Sequence, residues 1–374
     1  MPQSLFDVGL QNGEIAVNKR AWIVSSAAVL LLAGIALSAY RLWGGGENSL
    51  RQTLLAILPV KASAVAYANF AELRQSPFAA ELYAWVPRPQ QVDADYAEFL
   101  RDTGFDYERD LNQVAIATFP RGQDTILFAV ADGRFDQKRI VAYASQSGTR
   151  ENRNGLQIFS VAVNGTPHKI SFTFLRKDRI VLTDDPSLAA LLAESPQSED
   201  AKEWRQRFER LAGSPVFAVI RQDAATGSAL ASRAPGGLQS PQLSALLDQL
   251  QWITLAGKPE GDRLRIVAEG ECSTDGTARQ LSDLLNGVLV LAQAGLNGPK
   301  TRQQLDPQAR EAYLEMLKGA DVSRLDRGET KSVRLVFDVT PKFLAAARTA
   351  VPVVPVAPVI PAPKARPDKT QSRK

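Results

Sequence analysis

"SAVAYANF" (63–70) and "SPVFAVIR" (214–221) open two stretches of this 374-residue chain that read alike. Each is a short apolar strand led by a serine. The first stretch continues as helices, a hairpin, a helix, more strands and a helix. The second repeats that order, with a helix inserted at 306–318 and fewer late strands. "RIVLTDDPSLAALLA" (179–193) and "VRLVFDVTPKFLAAA" (333–347) close the two rounds. The match is one of pattern more than identity, and it points to an internal duplication.

The intervening segments carry ordinary signals. "SPFAAELYAWV" (76–86) and "DADYAEFLRDTG" (93–104) read as helices, the second capped by Asp93 and stopped at Gly104. "QVAIATF" and "DTILFAVA" form a hairpin across the turn at 120–123. "DQKRIVAYASQSG" is a helix, "LQIFSVAV" a strand ending at an Asn164-Gly165 turn, and "KISFTFLR" with "RIVLTD" a second hairpin. Asp185 and Pro186 mark a helix start. In the second half, "SPQLSALLDQLQ" (240–251) reads as a helix and "WITLAG" with "DRLRIVAEGEC" as a hairpin. "TARQLSDLLNGVLVLAQAG", "DPQAREAYLEMLKG" and "PKFLAAARTA" read as helices around the strand "SVRLVFDVT". Adjacent hairpins imply antiparallel sheets with helices packed on one face. The expected fold class is α+β, with two similar antiparallel-sheet-plus-helix halves after one N-terminal transmembrane helix.

That helix is expected in "AWIVSSAAVLLLAGIALSAY" (21–40), which has no charged residue. About 20 helical residues rise about 30 Å, the thickness of the hydrocarbon core of a bilayer. Its Leu, Ile and Val residues favour insertion by about 2 to 5 kcal/mol. Trp22, Tyr40 and Trp43 bracket the run where interfacial aromatic belts sit. The span exceeds a signal peptide's apolar core, so an uncleaved anchor is the better reading. Lys19 and Arg20 abut the span on its N-terminal side and favour a cytoplasmic N-terminus, although Arg41, Arg51 and Lys61 nearly balance them.

The resulting plan is a cytoplasmic tail (1–20), an anchor (21–43), and a linker with a short helix (44–58). An α+β half (59–195), a helical linker (196–213) and a second α+β half (214–350) follow. The chain closes with a Pro-rich basic tail (351–374). The short helix, "SLRQTLLAILP", is capped by Ser49, and it either lies on the membrane or docks on the domain that follows. In the tail, Pro352, Pro355, Pro358 and Pro361 recur every third residue, which aligns them on one face of a polyproline II helix. Lys364 and Arg366 begin a basic tip. The expected role is a stiff spacer or a docking motif for a protein or a cell-wall polymer.

Charge and residue counts exclude several chemistries. Of the net charge of +4, all resides in the last eleven residues, so the remainder is neutral and offers no footprint for nucleic acid. The single cysteine, Cys272, forms no disulfide within the chain. The single histidine, His168, rules out paired-histidine metal sites. No GxSxG, Walker A or GxGxxG motif occurs. The acids Asp102, Asp106, Glu108 and Asp110 do not fit a calcium-loop spacing and read as a capped, solvated turn. No cofactor is expected.

At "ILPVKASAVAYANFAEL" (57–73) and "TFLRKDRIVLTDDPSLAALLA" (173–193), over about residues 59–195, the chain resembles uncharacterised bacterial membrane-anchored proteins with an extracytoplasmic domain of unknown function. The resemblance implies a single-pass protein of the inner membrane with a periplasmic body, and it assigns no functional residue. The sequence therefore suggests a non-enzymatic envelope protein acting as a structural or interaction module. A binder of a small molecule or lipid between sheet and helices is the first alternative. A hydrolase built on carboxylates is the second.

Overall fold

A computed structural model describes residues 47–85, 94–121, 124–162, 169–193, 199–222, 248–328 and 330–350. Within them, twelve strands make one antiparallel sheet. From the first half come β1 (Ala64–Asn69), β2 (Leu111–Arg121), β3 (Asp124–Gly133), β4 (Thr149–Arg153), β5 (Leu156–Ala162), β6 (Lys169–Arg176) and β7 (Arg179–Thr183). From the second come β8 (Val216–Arg221), β9 (Leu250–Glu260), β10 (Arg263–Cys272), β11 (Asp321–Asp326) and β12 (Lys331–Val339). The order is β11-β12-β10-β9-β8-β1-β2-β3-β7-β6-β5-β4, so the two halves join through β1 and β8 at the centre.

Both sheet faces are covered. This corrects the expectation of helices on one face. Odd positions of β1, Val65 and Tyr67, enter a core with Phe128, Val181, Trp204 and Phe217. On the opposite face Ala68 packs with Phe70, Leu73 and Ile116. The runs "VAIATF" and "ILFAVA" hold the reason: they are apolar at consecutive positions, as strands buried on both sides require.

The first face carries α1 (Glu47–Leu55), α7 (Leu188–Leu192) and α8 (Glu199–Arg210). Helix α1 docks on the sheet: Leu54 is fully buried, and the Arg51 guanidinium lies over Tyr67 and Phe217 while donating to the Phe208 carbonyl. Burial holds the Arg51 pKa below its usual value. Because α1 begins at Glu47, Ser49 lies inside it rather than capping it. A chain of buried hydrogen bonds also crosses this face. The Tyr67 hydroxyl donates to Gln113, Gln113 to Asp132, and the Arg179 fork to both oxygens of Asp132.

The second face carries α2 (Phe70–Leu73), α3 (Pro77–Trp85), α4 (Ala94–Thr103), a turn of helix α5 (Tyr107–Asp110) and α6 (Gln137–Ser147) over the first half. Over the second half lie α9 (Asp275–Asn297), α10 (Pro299–Gln304), α11 (Pro307–Lys318) and α12 (Pro341–Ala350). Helix α12 packs on both α11 and α3.

Four elements, α2, β4, β11 and α10, have no counterpart in the sequence reading. All five β4 side chains are exposed, so this edge strand lacks the apolar alternation that marks a strand. Its hairpin with β5 turns on Asn154 and Gly155, both with positive φ. Helix α7 begins at Leu188, later than Asp185-Pro186 suggested; Asp185 still accepts the Ser187 amide and pairs with Arg121. Leu250 and Gln251 belong to β9 and not to a helix.

Candidate functional site

The residues singled out at the two chain ends, Trp22, Tyr40, Trp43, Pro352, Pro355, Pro358, Pro361, Lys364 and Arg366, lie outside the described residues, as do His168 and the Asn164-Gly165 turn. Among the described residues no helix is long and apolar enough to cross a membrane. Cys272 is buried, and burial raises its thiol pKa to about 11, which leaves it a weak nucleophile.

The acidic turn serves structure. Asp106 caps α5 through the Glu108 amide. Asp110 is buried, accepts the Asp106 amide and pairs with Arg109 and Arg134. Burial pushes its carboxyl up, but the Arg109 hydrogen bond and the Asp106 amide outweigh that and hold it below the usual range. The described residues contain no cluster of three or more His, Cys, Asp or Glu able to hold a metal.

One site with room for a ligand is an apolar cavity of about 310 Å³ on the second sheet face, beneath α2 and α3. Its floor follows from strand register. Ala66 pairs with Ala218, Ala68 with Val216, and Val216 with Gly257. Alternate residues of a strand share one face, so Ala66, Ala68, Ala218 and Gly257 lie side by side on β1, β8 and β9. Four small residues there leave a depression that β-branched side chains would fill. Ile116, Leu264 and Ile266 form its flanks, and Leu73, Phe78 and Leu82 its roof. Leu255 stands at the margin, 39 % exposed.

The lining is almost wholly carbon; Tyr67 borders it, but its side chain enters the core of the first face, where its hydroxyl donates to Gln113. The volume lies at the low end of the ligand-pocket range of roughly 300–1,000 Å³. A charge-free wall of this kind holds an apolar group by burial alone, at roughly 25 cal/mol per Å² of apolar surface. It supplies no acid, base or nucleophile. Sequence reading missed these residues because alanines and a glycine in strands mean nothing until the register sets them together.

A second cavity, about 490 Å³, lies on the opposite face between α1 and α8. Its wall is mixed, with Arg51, Arg205 and Glu209 beside Leu55, Trp204 and Phe208.

No family model matches the chain, and no curated protein matches it. Solved structures of TP0453 are similar in fold. Its crystal form III shares 12 % identity at a TM-score of 0.43, covering 80 % of this chain and 98 % of that one. Crystal form I shares 10 % at 0.42, covering 79 % and 96 %. A likeness this distant transfers no function.

Proposed function

We propose that the chain is a non-enzymatic, membrane-tethered envelope protein whose body binds an apolar small molecule or acyl chain beneath α2 and α3. The observation that carries this reading is the carbon-lined cavity over Ala66, Ala68, Ala218 and Gly257. The charge-free segment 21–40 supplies the tether, and its flanking charges favour a periplasmic body. Carbonate-washed membranes retain such a protein, and protease added to spheroplasts degrades its body.

The reading includes an internal duplication. When Ser63 is aligned with Ser214, Ala66 corresponds to Phe217 and Tyr67 to Ala218. In the sheet Ala66 pairs with Ala218 and Tyr67 with Phe217, the self-complementary pairing that two copies of one unit make about a local two-fold axis.

The ligand is tested by extracting the purified full chain with organic solvent and analysing the extract by mass spectrometry. An apolar molecule should be present near one equivalent in the wild type and absent from an Ala66→Leu/Ala218→Leu variant that still folds. Equal recovery from both would refute the site. A second reading, an interaction module, is favoured by Val290 and Leu291, which stand 64 % and 72 % exposed on α9. Pull-downs with and without residues 350–374 separate the two.

A further inference from the structure

The first sheet face holds a cluster of charges in the second half that neither cavity uses. Glu269 and Glu271 sit two residues apart on β10, both buried. Four arginines converge on them. Arg207 and Arg210, from the last turn of α8, bind Glu271, the former at 2.5 Å. Arg327 follows β11 and forks onto Glu269, and Arg334 of β12 reaches the same carboxylate at 3.3 Å. Arg210 also stands 3.9 Å from Glu269.

Two carboxylates thus face four guanidinium groups, a surplus of two positive charges among the described residues. Asp326 does not reduce it, because it pairs with Lys331. Glu203, one turn before Arg207 on α8, is exposed and adds only a distant interaction. The cluster is also short of acceptors: the buried Nε atoms of Arg207 and Arg334 have no hydrogen-bond partner. Arg207 is itself only 7 % exposed and is stacked 3.8 Å above the Trp252 ring. A guanidinium N–H held out of water without an acceptor is unfavourable, and arginine forks match the geometry of oxyanions. Arg210, Arg327 and Arg334 are about a third exposed, at 31 %, 31 % and 36 %, so an anion from solvent can reach them.

We infer that Arg210, Arg327 and Arg334 form a binding site for a phosphate-type oxyanion, seated beside Glu269. Arg207 and Glu271 position Arg210 from beneath and are not contacts. The ligand is either a free anion or the phosphate of a lipid headgroup.

Calorimetry on the full chain in uncharged detergent tests this, with sodium phosphate in one arm and dioctanoyl phosphatidic acid in the other, each against chloride at equal ionic strength. Saturable binding of phosphate identifies a free-anion site, and binding of the lipid alone identifies a headgroup site. In either case Arg334→Gln should weaken binding at least tenfold. Glu269→Gln should tighten it, because it removes a competing negative charge; a purely structural cluster would show no such gain. If Arg334→Gln does not fold, Arg327→Gln takes its place. The inference is overturned if neither probe binds beyond chloride, or if binding is unchanged in these variants, which would assign it to the basic tail.

Discussion

The two halves of the sheet share a strand order around β1 and β8 and fill it in different ways. In the first half, Phe128, Val130, Val181 and Leu188 are completely buried on one face. On the other, a run of contacting rings passes from Phe99 through Phe105, Phe135 and Phe174 to Phe172 and Phe159. Its central charges are balanced one to one, with Asp132 directly opposite Arg179. In the second half, β10 presents Glu269 and Glu271 to four arginines on one face. On the other, Leu264, Ile266 and Ala268 are only half-buried. Helix α9 carries Val290 and Leu291 in solvent. The first half is built to be stable, while the second leaves an apolar margin and a charge surplus open to other molecules.

Substitutions at the balanced pair should cost most. Asp132→Ala leaves Arg179 buried without a carboxylate and should lower stability by about 3–5 kcal/mol in urea unfolding. A loss below about 1 kcal/mol would show that this pair is not sealed from water. Leu188→Ala opens a void in the same core and should cost about 3 kcal/mol by the same measurement.

The second half should respond to acid. Burial pushes the Glu269 carboxyl up, but the hydrogen bond and charge of Arg327, with Arg334, outweigh that and hold it below the usual range. A carboxylate whose pKa is depressed by folding adds stability above its unfolded pKa, and that stability is lost as pH falls through the folded value. The wild type should therefore lose more Tm than Glu269→Gln between neutral pH and pH 3. Parallel curves would contradict the ion-pair assignment. At the small end, Leu291→Ser should change stability by no more than about 0.5 kcal/mol, since the side chain is already in water. A loss above 2 kcal/mol would mean that the α9 surface is covered in the folded protein.

Much of this architecture was legible in the sequence, and the exceptions share a cause. Strands such as 114–119 and 126–131 announce themselves by apolar content and turns, and Asp306-Pro307 opens α11 as read, with Asp306 accepting two amides. Strand β4, "TRENR", has no apolar residue and is held by its hairpin with β5 alone; the Asn154-Gly155 pair was the signal available for it. The single sheet was hidden because the β1–β8 pairing joins residues about 150 positions apart, and no local pattern encodes a contact at that range. The cavity floor depends on that same pairing. The ion cluster was hidden likewise: "AEGEC" shows two acids, but Arg207 and Arg327 reach them from 64 and 58 residues away.

Occupancy of the cavity beneath α2 and α3 is measured directly by photolabelling the full chain in uncharged detergent with a diazirine fatty acid. Label should fall on peptides covering 66–82 and 255–266, and should drop at least tenfold in Ala66→Leu/Ala218→Leu at unchanged Tm. Label spread over the surface of the body, or undiminished in the filled variant, would contradict the claim that this sheet and its helices enclose an apolar ligand.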